Sequence, residues 1–248
     1  MKALYEKSRL GFALLWIGIY ALGGSLFEEL SRRIGVESLA PALYFAMLSG
    51  VAYWWIKRHH RLSFFGLCRP TAKTKAFLWF IPLVLITLSN GYLGMRMLYS
   101  PLGTVCFVVK MLCVGFLEEL IFRGFLFRAL CCYNIKFAMA ISSISFGVGH
   151  ILNLFNGSGT PLWENVLQIV GATAFGFLYV ILFARGGSLL PCMLSHGIFN
   201  GLSAFSIRST VRGETVHQLV LVFVVIGYTL VLCKSLPKET LPSEGEGA

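Results

Sequence analysis

The stretch Glu118-Glu119-Leu120-Ile121-Phe122-Arg123 lies inside a long apolar segment that covers residues 101–130. A charged side chain at the centre of a bilayer costs about 2.5–3.5 kcal/mol on insertion scales, so it usually has a partner or a function. On a helix Glu119 and Arg123 stand four residues apart on one face, which predicts an ion pair. Glu118 points about 100° away from Glu119. We therefore expect Arg123 to hold Glu119 and the carboxylate of Glu118 to be available for chemistry.

The composition of the chain indicates a membrane protein. The 248 residues are 56% hydrophobic and 13% charged, with a mean hydropathy of +0.75, which leaves too few charges to cover a soluble globule. The net charge of +10 fits basic residues beside apolar spans better than nucleic-acid binding. All 11 acidic residues are glutamates, which excludes an aspartyl protease site and a Ser-His-Asp triad. The seven cysteines lack metal or disulfide spacing, so we interpret them as packing residues.

The hydropathy pattern predicts an all-α fold, a polytopic bundle of about eight transmembrane helices. The apolar runs are 10–27, 39–56, 76–94, 101–130, 135–154, 165–184, 188–206 and 217–233. Most of the 21 basic residues fall in the loops on the side of the N-terminus. This bias predicts a multi-pass protein of the cell membrane with both termini in the cytoplasm.

Three parts of the chain are expected from this layout. They are N-terminal transmembrane helices with a basic cytoplasmic loop (1–100), a catalytic membrane core (101–210), and the last span with a short polar tail (211–248).

A second pair of glutamates, Glu28-Glu29, precedes Arg32 and Arg33 at the outer end of the first apolar run. We interpret this pair as part of a solvated helix end, in which Glu28 pairs with Arg32 and Glu29 with Arg33. No histidine within an apolar run is placed to join it. The sequence identifies no partner for Lys110 in the fourth run.

Two later runs each carry a histidine beside glycines, in Phe146-Gly147-Val148-Gly149-His150 and in His196-Gly197-Ile198-Phe199-Asn200. His196 and Asn200 are four residues apart and share a helix face. Counted from the predicted turns, Glu118 and His150 lie about 22 Å along their helices, and His196 and Asn200 about 15–21 Å. We therefore expect Glu118, His150, His196 and Asn200 to meet in one layer of the bundle.

This set of side chains is suited to hydrolysis. A glutamate and a histidine in a pocket of low dielectric can activate water as a general base, and a second histidine with an asparagine amide can stabilise an oxyanion. Glu118, His150 and His196 could also form a zinc site, so a metal-dependent mechanism stays open at this point.

The pattern resembles the CAAX prenyl endopeptidase and bacteriocin-processing group of intramembrane glutamic proteases, the CPBP or Abi family. The family's motifs are two glutamates followed after three residues by an arginine, then Phe-x-x-x-His, then His-x-x-x-Asn. They occur here in that order, within about residues 100–210, as Glu118-Glu119…Arg123, Phe146…His150 and His196…Asn200.

The resemblance implies a role for each of these residues. Glu118 would activate water with His150, His196 and Asn200 would hold the oxyanion, and Glu119 with Arg123 would brace the site. It also implies catalysis without a metal or other cofactor.

The resemblance further implies an intramembrane endopeptidase, a CAAX protease-like peptide hydrolase. Its expected partners are membrane lipids and a membrane-associated peptide that is prenylated or carries a leader, and not nucleic acid. One alternative is a non-catalytic membrane scaffold or a bacteriocin self-immunity protein that keeps the pocket. A proton-coupled transporter is disfavoured because the spans show no two-fold repeat. The rhomboid Gly-x-Ser-Gly and zinc-protease His-Glu-x-x-His motifs do not occur.

Overall fold

The fold of the chain is a bundle of helices, as the sequence predicted. The computed structural model describes residues 1–70, 80–155, 161–207, 209–236 and 241. Within these ranges β-structure is limited to an isolated antiparallel bridge between Met95 and Ser206. The helices are α1 (Lys2–Lys7), α2 (Arg9–Ile34), α3 (Leu39–Arg58), α4 (Ile81–Leu88), α5 (Pro101–Glu119), α6 (Arg128–Leu130), α7 (Ile135–Gly149), α8 (Leu162–Gly186), α9 (Leu190–Leu202) and α10 (Val211–Ser235).

Several of these helices can cross a membrane. In the described ranges five helical segments are long and apolar enough, namely Arg9–Ile34, Leu39–Arg58, Ile135–Leu154, Leu162–Gly186 and Val211–Ser235. The seventh apolar run contains the 13-residue helix α9, which at 1.5 Å per residue is about 20 Å long, shorter than the bilayer core. Residues 76–79 of the third run lie outside the described residues. The chain is a multi-pass membrane protein, and its eight spans stay a prediction.

The fourth run departs from a regular α-helix at the diglutamate. Helix α5 ends at Glu119, and the chain continues as a π-helix over Leu120–Phe127 before α6. Every residue of the π-helix is buried. The hydroxyl of Ser142 donates a hydrogen bond of 2.8 Å to the carbonyl of Phe122, which pairs a backbone group in this irregular turn. π-Helical turns inside α-helices are frequent at functional sites.

Glycines bring α5 and α9 into backbone contact. A Cβ atom placed on Gly115 would lie 2.5 Å from the backbone nitrogen of Gly197 and 2.7 Å from its Cα. Only a residue without a side chain permits this approach. The contact places His196, the neighbour of Gly197, directly against the helix that carries Glu118.

Aromatic rings hold α2 against the π-helix. Phe125 of the π-helix makes edge-to-face contacts with Phe12 of α2 (centroids 5.0 Å apart) and with Phe65 (5.1 Å). Trp16, also on α2, lies 5.7 Å from the same ring. Such contacts add to the stabilisation that burial of the rings already provides. They fix the N-terminal half of α2 beside the segment that follows Glu119.

Candidate active site

Glu119 is the centre of a buried polar cluster. Its Oε1 accepts a hydrogen bond of 3.1 Å from Nη1 of Arg123, and both side chains are fully buried. The ion pair expected from the sequence spacing is therefore present. The same oxygen lies 2.9 Å from Nδ1 of His196, a contact that the sequence did not predict. Because a carboxylate accepts, Nδ1 of His196 carries a proton in this contact.

Glu118 faces away from Arg123, and both oxygens of its carboxylate have partners. The hydroxyl of Tyr20, on α2, donates a hydrogen bond of 2.6 Å to Oε1 of Glu118. The other oxygen, Oε2, lies 3.4 Å from Nε2 of His196. His196 thus bridges the two glutamates, with one ring nitrogen directed to each. Sequence reasoning missed Tyr20, because the first three apolar runs carry no motif that marks it.

Aromatic side chains form the walls of the polar cluster. The guanidinium carbon of Arg123 lies 4.3 Å from the ring centroid of Phe146 and 5.9 Å from that of Tyr179. The imidazole of His196 stacks on Tyr179, with centroids 5.8 Å apart, and meets the edge of Phe146 at 5.7 Å. Arginine over an aromatic face gains a cation–π attraction that is larger when water is excluded. The phenylalanine of the Phe-x-x-x-His motif therefore packs against both the arginine and the histidine.

His150 lies at a break in helix geometry. The sequence predicted a continuous run over 135–154, but α7 ends at Gly149 and a 3-10 helix begins at His150. Nδ1 of His150 is 3.1 Å from the carbonyl oxygen of Phe146. A carbonyl only accepts, so Nδ1 carries the proton and neutral His150 keeps Nε2 as a lone-pair acceptor. The buried amide of Asn165 donates a hydrogen bond of 2.8 Å to the carbonyl of His150, which stabilises the start of the 3-10 helix.

The four residues expected in one layer all line one cavity, of about 1230 Å³. They are Glu118, His150, His196 and Asn200. The cavity also has apolar lining from α2, the π-helix and α7, so it combines a few polar groups with a hydrophobic wall, as ligand sites commonly do. Among the residues that the structure describes, no three His, Cys, Asp or Glu side chains form a cluster suited to a metal ion.

The second diglutamate has a different arrangement from the first. Glu29 holds both Arg32 (2.8 Å) and Arg33 (2.9 Å) on an exposed part of α2. Glu28 contacts Lys110, with 2.8 Å between Oε1 and Nζ. Lys110, for which the sequence identified no partner, is therefore paired across helices.

The fold and the site together define a class, the multi-pass membrane protein with a carboxylate–histidine cluster on a large cavity. Residues 100–202 match the family model described as type II CAAX prenyl endopeptidase Rce1-like. The matched segment includes all three sequence motifs. This match confirms the resemblance to the CPBP/CAAX protease family that the sequence predicted, over residues 100–202. A comparison with curated proteins found no match.

Proposed function

We propose that this protein is an intramembrane endopeptidase in which Glu118 and His150 activate the water that attacks the peptide bond. The observation that carries the proposal is the shared cavity, where a carboxylate and a histidine with an acceptor nitrogen face the same space inside the bundle. A general base must lie within hydrogen-bond reach of the water it deprotonates, and the cavity provides room for that water and for a peptide.

The reaction proceeds in two proton transfers. The base formed by Glu118 and His150 takes a proton from water as its oxygen attacks the carbonyl carbon, which gives a tetrahedral oxyanion. The proton then passes to the amine as the carbon–nitrogen bond breaks, which leaves a carboxylic acid and a free amine.

His196 and Asn200 supply donors to the oxyanion. Nδ1 of His196 is bound to Glu119, so the ring presents Nε2 towards Glu118 and the cavity. Glu118 and Glu119 both contact this ring, and Arg123 pairs with Glu119, so an imidazolium at His196 brings the sum of the four charges to zero. Neutral clusters are far cheaper to bury than clusters with a net charge. A charged donor aimed at a developing oxyanion is among the most effective catalytic devices.

The proposed substrate is a membrane-associated peptide that either carries a prenyl group or carries a leader sequence. Its support is the apolar side of the cavity, where Leu10, Leu14 and Leu126 line the same space as the polar cluster. Such a wall accepts an acyl or prenyl chain, or an apolar peptide segment, and lets the scissile bond approach Glu118.

The experiment is cleavage of quenched peptides by the detergent-purified protein, with prenylated peptides beside unprenylated ones of the same sequence. Wild type is compared with Glu118→Gln and with Glu6→Gln, an exposed glutamate as matched control. Each is assayed with and without a strong metal chelator. We expect Glu118→Gln alone to abolish cleavage, and the chelator to have no effect.

Two outcomes contradict the proposal. Loss of wild-type cleavage in the chelator would show that the mechanism depends on a metal. Undiminished cleavage by Glu118→Gln removes the glutamate from catalysis.

A further inference from the structure

The hydrogen bond between Tyr20 and Glu118 adds a residue to the site that none of the three motifs contains. We propose that Tyr20 is a positioning residue for hydrolysis, whose hydroxyl fixes the orientation of the Glu118 carboxylate. The inference rests on the proposed role of Glu118 as the base. Its basis is the hydrogen bond of 2.6 Å from a tyrosine on the cavity wall to Oε1 of Glu118.

The ring of Tyr20 is held in place by α3. It packs against Phe45 with ring centroids 5.1 Å apart. Phe45 in turn lies over Gly24, where a Cβ atom would come within 2.8 Å of the phenylalanine ring. A ring supported in this way has little rotamer freedom, so its hydroxyl is presented at a fixed position.

A second polar contact sets the register of α2 against α5. Glu28 lies eight residues after Tyr20 on α2, and its partner Lys110 lies eight residues before Glu118 on α5. Equal spacing in opposite directions along the chain is the pattern of two antiparallel helices. The two contacts lie about 12 Å apart along the helix axis. The side chain of Lys110 is 8% exposed and that of Glu28 is 33% exposed, so this partly buried pair restrains α2 from sliding. The register of α2 therefore brings the Tyr20 hydroxyl to Glu118.

Fixing one oxygen determines what the other can do. With Oε1 bound by Tyr20, the carboxylate plane is set and Oε2 is directed towards His196 and the cavity. Without the hydroxyl, the carboxylate can rotate about its terminal torsion, which is broad and weakly restrained. A misplaced base slows the chemical step, with a loss of about 10–100-fold for displacements near 1 Å. Substrate binding does not depend on this orientation.

The test is Tyr20→Phe, which keeps the ring and removes only the hydroxyl. Its matched control is Tyr44→Phe, which removes a hydrogen bond of the same length, 2.6 Å, from the neighbouring helix to the backbone carbonyl of Ile19. We expect kcat to fall about 10–100-fold in Tyr20→Phe with KM unchanged within about twofold. In Tyr44→Phe we expect wild-type kcat. Thermal unfolding of both variants is recorded beside the kinetics.

Different results separate the failure of this inference from the failure of the proposed function. Wild-type kcat in Tyr20→Phe, with Glu118→Gln inactive, overturns the role of Tyr20 alone. So does a change confined to KM, or an equal loss of kcat in Tyr44→Phe. Wild-type activity in Glu118→Gln overturns the proposed function itself.

Discussion

Arg123 determines how the charges of the site are tolerated in a membrane. It is fully buried, it pairs with Glu119, and its guanidinium lies over Phe146. Two carboxylates in adjacent positions would otherwise repel each other in a medium that screens charge poorly. A single arginine thus offsets one glutamate and leaves the second for the reaction.

Replacement of Arg123 by methionine tests this role. The variant keeps much of the side-chain volume but leaves the buried Glu119 with His196 as its cation. We expect the free energy of unfolding in detergent to fall by about 3–5 kcal/mol. The control is Arg33→Met, which breaks an exposed ion pair with Glu29 and should lower the free energy of unfolding much less. Equal losses in the two variants would show that burial of the Arg123 pair is not what stabilises the fold.

His150 shows a different use of local structure. Its Nδ1 is occupied by a backbone carbonyl four residues earlier, which settles its tautomer without any other side chain. The four-residue spacing between Phe146 and His150 therefore determines which ring nitrogen is left as the acceptor. The role of this histidine as a base stays a prediction until its variants are assayed.

At the scale of elements, the contact of α5 with α9 decides where His196 lies. A Cβ on Gly115 would meet backbone atoms of Gly197, which move only if α9 moves as a whole. Helices in membranes commonly approach one another at such small residues. Gly197 is therefore needed to place its neighbour, His196, against α5.

We expect Gly115→Ala to lower stability by about 1–3 kcal/mol, because the added methyl group overpacks the helix contact. Cleavage should fall with it, since His196 is displaced from Glu118 and Glu119. Gly18→Ala is the control, because its Cβ would meet no atom within 4 Å. That change should be neutral or stabilising by up to about 1 kcal/mol. Thermal unfolding and peptide cleavage are measured on both variants, and similar behaviour of the two would contradict the account.

The elements also show what the sequence could predict and what it could not. The Glu119–Arg123 pair follows from residues four apart on one helix, and the presence of Glu118, His150, His196 and Asn200 on one cavity agrees with the count of depth along the helices. Contacts between distant segments depend on how each helix is rotated about its axis. The bond of Tyr20 to Glu118 is of this kind, and so is the pairing of Glu28 with Lys110.

The π-helix explains a further difference between the sequence and the structure. Its apolar sequence, Leu120–Phe127, is as compatible with an α-helix as with a wider turn. The segment packs against α2 and α7, and hydrophobic periodicity along one helix does not record such contacts.

At the scale of the whole molecule, the cavity draws on parts of the chain beyond the predicted core of residues 101–210. Tyr20 and Glu28 belong to the N-terminal segment, and His217 and Gln218 of α10 also line the cavity. We therefore propose that α2 and α10 act with the core as one functional unit, and that the division into 1–100, 101–210 and 211–248 describes the sequence more than the site.

The predicted orientation, with both termini in the cytoplasm, can be tested at the turn after α6. Cys132 is exposed there. Burial raises the pKa of its neighbour Cys131 to about 11, although the nearby Arg128 opposes the shift, so Cys131 holds little thiolate at neutral pH. We expect a membrane-impermeant maleimide to label this turn in inside-out vesicles and not in intact cells. The Cys132→Ser variant shows which part of the signal comes from Cys132. Labelling of intact cells that disappears in Cys132→Ser would contradict the predicted orientation.

The central claim is that Glu118 and His150 act on the same water. The most direct measurement is the single-turnover rate of peptide cleavage for Glu118→Gln, His150→Ala and the double variant, under conditions where all three are folded by thermal unfolding. General-base catalysis contributes on the order of 10²–10⁴-fold, so each single variant should lose about that much. Residues that act as one unit are not additive, and the double variant should be no slower than the slower single variant. Losses that multiply in the double variant, or a wild-type rate in either single one, would contradict the claim.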